Sequence, residues 1–171
     1  MSRLIVNLPA GSIGGYSICT KDGYTHLYKQ GISSIMSDNE KEYEDHEEFF
    51  EEVSGDVLIG GLGIGMVNEF LRHKDNVSSV TIIEKYQEVI DLVWDSCYKD
   101  DRFRLIKADI ETWSPDKHFN IGWFDTWLTD HPSMSLEEYD IFIRSKYGPY
   151  CSWIGIWKRK GHSHDSRILT C

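Results

Sequence analysis

The 171-residue sequence lacks long apolar runs, paired cysteine motifs and an excess of positive charge. No stretch approaches the ~20 consecutive apolar residues that a membrane-spanning helix needs. The N-terminus has one basic residue and too short an apolar segment for a secretion signal. We therefore expect a cytoplasmic protein without a membrane partner. The four cysteines contain no Cys-x-x-Cys pair, which predicts reduced thiols rather than a disulfide framework or a zinc site, and no metal is expected.

The charge balance is acidic, with a formal net charge of −10. Such a chain repels polyanions at long range, which disfavours nucleic acid as a partner. The charge is uneven, because residues 38–52 hold nine acidic side chains against one lysine. We expect this stretch to be the solvated face of a helix; a docking surface for a basic partner is the alternative.

Two parts are visible along the chain. Residues 1–37 form the predicted N-terminal β segment, which includes a hairpin closed by Asp22-Gly23. In residues 38–171, a single compact unit, strand and helix patterns alternate. This alternation predicts an α/β fold with a doubly wound, mostly parallel sheet. The expected strands are 56–60, 79–84, 102–107, 119–125 and 151–157, and the expected helices are 66–73, 87–98 and 135–147.

A glycine-rich turn follows the first strand of this second part. The turn reads Gly-x-Gly-x-Gly from Gly61 to Gly65, and a helical pattern starts at once. Such a turn allows close approach of a backbone to a ligand and points the first N–H groups of a helix at it. A dinucleotide fingerprint requires glycine at position 66, which is Met66. The turn therefore favours a different adenosine ligand over NAD, and an NAD-linked oxidoreductase is a poor alternative.

Three carboxylates follow the ends of later strands, where ligands bind in open α/β sheets. Glu84 is placed to accept hydrogen bonds from ribose hydroxyls, and Asp109 from an adenine amine. Asp125 ends the fourth strand in an apolar context, where a carboxylate needs a partner. Each has a structural alternative: an exposed charge for Glu84, a turn cap for Asp109 and a structural hydrogen bond for Asp125.

The order of these features resembles class I S-adenosylmethionine-dependent methyltransferases over residues 56–157. The glycine turn resembles their first motif, and Asp125 the fourth-motif position that faces the substrate. The resemblance implies a Rossmann-like fold with S-adenosyl-L-methionine as cofactor. It also implies a shortened C-terminus, since little sequence follows the fifth strand. The cofactor-binding residues that it implies are Gly60, Gly61, Gly63, Gly65, Glu84, Lys85, Asp109, Ile110 and Asp125.

Within that superfamily the layout is most similar to spermidine synthases and their methyltransferase-like relatives. The similar segments before the glycine turn are residues 30–34 and 39–43. Two departures stand out: Gly63 replaces an aspartate of spermidine synthases, and Ser34 replaces a glutamine. Their Asp-Ser-Ser-Asp-Pro type sequence is only partly matched by residues 125–132.

The resemblance implies a methyltransferase that acts on a small-molecule or protein acceptor. Asp125 is then the candidate to orient or deprotonate the acceptor, with Asp130 or His131 as a further acid or base. Trp127 is expected to stack on the substrate. One alternative is an aminopropyltransferase that uses decarboxylated S-adenosylmethionine, and another is a catalytically degenerate cofactor-binding protein that acts through a protein partner. Exposed sheet edges also favour a homo-oligomer.

Overall fold

A computed structural model describes residues 3–31, 34–126 and 131–157. The N-terminal part is an antiparallel sheet of four strands in chain order: β1 Gly11–Ile13, β2 Tyr16–Lys21, β3 Tyr24–Lys29 and β4 Met36–Ser37. In the hairpin between β2 and β3, Asp22 has φ +52° and Gly23 has φ +81°. Two positive φ values are typical of the type I′ turn that matches strand twist, so the predicted hairpin is confirmed.

The second sheet is fully parallel and contains β5 Gly55–Gly60, β6 Val77–Glu84, β7 Phe103–Lys107, β8 Phe119–Phe124 and β9 Cys151–Ile156. Its strand order is β7-β6-β5-β8-β9. The first of these strands along the chain, β5, lies in the middle of the sheet, with β6 and β7 added on one side and β8 and β9 on the other. The predicted doubly wound fold is therefore confirmed. The helices are α1 Glu40–Asp45, α2 Glu47–Glu52, α3 Met66–Leu71, α4 Gln87–Val93 and α5 Leu136–Tyr147, followed by a 3-10 turn at Gly148–Tyr150.

Apolar side chains cover both faces of the parallel sheet. Val57 and Leu58, adjacent in β5, are both fully buried but belong to different core clusters, because neighbouring side chains point to opposite faces. The Val57 cluster also contains Leu27 and Met36 of the N-terminal sheet, so the two sheets share a core. The cluster on the other face includes α5, whose start is fixed by a capping box between Ser135 and Glu138.

The acidic stretch 38–52 departs from the expected single solvated helix. It forms two short helices that meet at His46, and His46 and Asp38 are buried. The Asp38 carboxylate accepts hydrogen bonds from the N–H groups of Val6 and Thr25 at 2.9 and 2.8 Å and pairs with Arg3. These partners replace the water that a buried carboxylate loses. The expectation of a solvated acidic face is therefore wrong for Asp38 and Asp45, which are buried, whereas Glu47, Glu48, Glu51 and Glu52 are exposed.

The thiols also depart from expectation at one position. Cys97 and Cys151 are buried free thiols, whereas Cys19 is disulfide-bonded. The prediction of reduced thiols is wrong for Cys19, because spacing along the sequence does not report pairing in the fold. None of the helices in the described ranges has the length and hydropathy of a membrane span.

Candidate functional site

One cavity of about 420 Å³ opens where the parallel strands end. The segments that follow β5, β6, β7 and β8 supply one side of it, and the N-terminal sheet supplies part of the other. Its lining residues are Tyr16, Leu27, Lys29, Ile35, Gly61, Gly63, Ile83, Glu84, Lys85, Tyr86, Val89, Ala108, Asp109, Ile110, Glu111, Thr112, Asp125, Thr126, His131, Pro132, Ser133 and Tyr139. Most of the sequence-predicted cofactor residues thus share one cavity.

Hydrogen bonds at Gly60 and Gly61 connect the ends of β5, β6 and β8. The Gly61 N–H donates to the carbonyl of Ile83 at 2.8 Å, and the Asp125 N–H donates to the Gly60 carbonyl at 2.9 Å. Gly61 has φ +99°, and a Cβ atom there would lie 2.6 Å from the backbone oxygen of Asp125. Only glycine fits this position without displacing the chain that carries Asp125.

The other glycines of the turn have different surroundings. Gly63 lines the cavity, and a side chain there would overlap the sulfur of Met36. Gly60 and Gly65 do not line the cavity; Cβ atoms on them would meet Phe124 at 2.8 Å and Cys97 at 2.6 Å, respectively. The structure therefore explains these two glycines by close packing.

Glu84 is a buried carboxylate at the end of β6. Its Oε2 accepts from the N–H of Leu62 and its Oε1 from the N–H of Tyr86, both at 2.9 Å. Burial raises the pKa of Glu84, while these backbone donors oppose that rise. An ionised carboxylate offers about four lone-pair sites. The lone-pair sites that the backbone donors leave unused are available to a ligand in the cavity.

Asp109 is held by two protein partners. Its Oδ1 accepts from the N–H of Glu111 at 2.9 Å, and its Oδ2 pairs with Lys85 Nζ at 3.0 Å. Burial by itself would raise the pKa of Asp109, but the Glu111 N–H and the Lys85 ammonium lower it overall. The contact with the Glu111 N–H is the turn-capping contact that was the structural alternative for Asp109, and the Asp109 side chain also lines the cavity. Ile110, the next residue, is buried, and its carbonyl accepts from Lys146 and Tyr147.

Asp125 contacts a residue that sequence reasoning missed. His46 Nε2 lies 3.5 Å from Asp125 Oδ2, and the His46 side chain is fully buried while that of Asp125 is 22% exposed. Burial by itself would lower the pKa of His46, but the Asp125 and Glu42 carboxylates raise it overall. The only local signal was the spacing of Glu42 and His46, four residues apart in a helical pattern.

His131 lines the cavity with both ring nitrogens engaged. Nδ1 accepts from the N–H groups of Ser133 and Met134 at 3.3 and 3.0 Å, and Nε2 lies 3.4 Å from Glu111. These contacts give His131 a structural part in the loop before α5. Trp127 and Asp130, expected to bind substrate and transfer protons, lie outside the described residues.

Sequence comparisons find no match: no protein-family model matches the chain, and no curated protein does. Solved structures resemble parts of the chain. DhpI in complex with SAH is 18% identical with a TM-score of 0.49, over 64% of this chain and 52% of that one. Spermidine synthase from Thermotoga maritima is 20% identical with a TM-score of 0.49, over 73% and 49%. The N-methyltransferase NodS from Bradyrhizobium japonicum WM9, bound to S-adenosyl-L-homocysteine, is 18% identical with a TM-score of 0.41, over 50% and 45%.

The observed fold is α/β with a doubly wound parallel sheet, as predicted. The chain spans about half the length of the solved structures named above.

Proposed function

We propose that the protein binds S-adenosyl-L-methionine in this cavity and transfers its methyl group to a small-molecule or protein acceptor. The observation that carries the proposal is the meeting of the glycine turn, Glu84, Asp109 and Asp125 in one cavity. The volume of about 420 Å³ falls within the roughly 300–1,000 Å³ typical of small-molecule sites.

The adenosine end of the ligand has suitable partners. The free lone pairs of Glu84 are available to ribose hydroxyls, and its two backbone donors hold the carboxylate in place. Asp109 and Ile110 form the wall beside it, where an adenine would lie against the Ile110 side chain. In this arrangement Lys85 orients Asp109 rather than contacting the ligand through its charge.

The chemistry requires alignment more than strong acid or base catalysis. Bound S-adenosyl-L-methionine supplies an electrophilic methyl group on a sulfonium centre. Asp125 orients the acceptor or removes its proton, because its partly exposed carboxylate stands in the cavity wall directly after β8. Holding an acceptor in line at short distance supplies much of the rate.

Aminopropyl transfer is the less favoured reaction. Spermidine synthases, which this chain resembles, carry an aspartate at the position of Gly63. In this chain, the Met36 sulfur occupies the space that a side chain at position 63 would need. A thioether cannot pair with a polyamine cation as a carboxylate does. The pocket therefore lacks one acidic group that the resemblance to spermidine synthases would require.

The test is transfer of an isotopically labelled methyl group to an acceptor pool, separated into small molecules and proteins. We expect label in one fraction with the wild-type chain and strong loss with Asp125→Asn, while that variant still binds S-adenosylhomocysteine. Glu137→Gln, which changes an exposed carboxylate of α5, is the matched control and should transfer normally. Absence of methyl transfer, or transfer from decarboxylated S-adenosylmethionine to putrescine, would contradict the proposal.

A further inference from the structure

The His46 side chain forms a cluster that the proposed methyl transfer does not explain. Its ring is fully buried, with ring centroids 5.8 Å from Phe50 and 5.3 Å from Trp123. Its Nε2 atom is buried and makes no hydrogen bond. A buried polar atom of this kind is costly unless something satisfies it.

The other ring nitrogen determines what Nε2 offers. His46 Nδ1 lies 2.8 Å from the backbone oxygen of Glu42, which can only accept, so Nδ1 carries the hydrogen and donates it. A metal binds only the neutral imidazole, and in that form Nε2 presents a lone pair toward Asp125 Oδ2. Two electron-rich atoms face each other, and a cation between them would remove the repulsion.

The separation of these atoms favours a metal ion over a shared proton. A charge-assisted N–H···O hydrogen bond spans about 2.7–2.9 Å, whereas the observed distance is 3.5 Å. Around a tetrahedral Zn²⁺, with bonds of about 2.0–2.2 Å to nitrogen and oxygen, two ligands lie about 3.3–3.5 Å apart. The 3.5 Å between His46 Nε2 and Asp125 Oδ2 matches the separation of two ligands of one metal ion.

A third ligand lies within reach. Glu42 precedes His46 by one helical turn, and one donor atom from each of Glu42, His46 and Asp125 lies within 4.8 Å of the others. The Nδ1–H bond to a backbone carbonyl is the contact that commonly orients a metal-binding imidazole. We propose that Glu42, His46 and Asp125 bind a divalent first-row transition-metal ion, for which Zn²⁺ is the suitable probe.

The donor set selects among metals. An imidazole with two carboxylates suits Zn²⁺ and its neighbours, whereas Mg²⁺ and Ca²⁺ prefer oxygen ligands alone. Three protein ligands leave a further position for water or a substrate, as in catalytic zinc sites. Asp125 also lines the cavity, so the ion would stand next to the space proposed for the acceptor. Metal binding does not rest on the proposed cofactor and is measured without it.

The experiment is calorimetric titration of chelator-treated protein with Zn²⁺ alone, with bound metal counted by mass spectrometry. We expect one ion per chain and an affinity weakened at least about tenfold in both Glu42→Gln and Asp125→Asn. These variants are chosen because Glu42 and Asp125 are partly exposed, whereas His46 packs in the core. Bound Co²⁺ should show visible absorption that the Asp125→Asn variant loses.

Two controls separate this site from other binding. Replacing both His162 and His164 by glutamine removes the tail histidines and should leave the single Zn²⁺ equivalent intact. Mg²⁺ should bind much more weakly than Zn²⁺. Absence of stoichiometric Zn²⁺ binding, or equal Zn²⁺ affinity in folded Glu42→Gln and Asp125→Asn, overturns the proposal. S-adenosylhomocysteine binding by the same metal-free protein would leave the proposed function standing.

Discussion

Replacing Gly61 by alanine tests how the glycine turn positions Asp125. Gly61 has φ +99°, and a Cβ atom there would lie 2.6 Å from the Asp125 backbone oxygen. That oxygen is hard to displace, because the Asp125 N–H is bonded to the Gly60 carbonyl and β8 pairs with β5 up to Phe124. The substitution therefore combines backbone strain with a backbone clash.

The two contributions have different sizes and can be separated. The left-handed conformation costs a residue with a Cβ atom about 1–2 kcal/mol. Overpacking against a fixed neighbour costs a further 1–3 kcal/mol or so. The expected loss of unfolding free energy for Gly61→Ala is then about 2–5 kcal/mol. In a domain of this size each kcal/mol lowers Tm by about 2–4 °C.

Gly23→Ala is the matched control. Gly23 also has a positive φ, +81°, but no atom lies within 4 Å of the Cβ that alanine would add. Urea and thermal unfolding followed by circular dichroism should show Gly61→Ala about 1–3 kcal/mol less stable than Gly23→Ala. Equal losses in the two variants would refute the argument that Gly61 is required by contact with the Asp125 backbone.

Three further outcomes are expected. Asp38→Ala removes the acceptor of two buried backbone N–H groups and should lower the unfolding free energy by about 3–5 kcal/mol in urea titrations; a loss below 1 kcal/mol or so would contradict this. Burial raises the pKa of Glu84, so the stabilising contribution of this carboxyl group is present below its unfolded pKa and is lost as pH rises through its folded pKa. The stability of the wild-type chain relative to Glu84→Gln should therefore fall with rising pH, and a rise would contradict this prediction. Burial raises the pKa values of Cys97 and Cys151 to about 11, so these two thiols should resist iodoacetamide in native protein at pH 8 until it is unfolded, as read by peptide mass spectrometry; rapid native labelling of either would disprove this.

Local patterns predicted the elements of the parallel sheet well. The five expected strands and three expected helices all occur, and the largest boundary difference is at α4, which ends at Val93 rather than at residue 98. The rule that ligands bind beyond strand ends also placed Glu84, Asp109 and Asp125 around one cavity. These successes share a cause: periodicity and strand-end position are properties of short segments.

The contacts between distant segments were not predicted. His46 is buried because α1 and α2 break there and pack the ring against Trp123, 77 residues further on. Asp38 is buried because backbone donors from the N-terminal segment reach it. An acidic run normally indicates solvent exposure, and no local pattern shows that two of its members find partners in the core.

The most direct test of the central claim is calorimetric titration with S-adenosylhomocysteine. Its ribose hydroxyls would donate hydrogen bonds to the Glu84 carboxylate, and hydrogen bonds to a charged group are worth about 1.5–3 kcal/mol. We predict clear binding by the wild-type chain, a loss of about 10- to 150-fold in Glu84→Gln, and no change in the exposed control Glu137→Gln. No binding by folded wild-type protein, or equal binding by Glu84→Gln, would contradict the account.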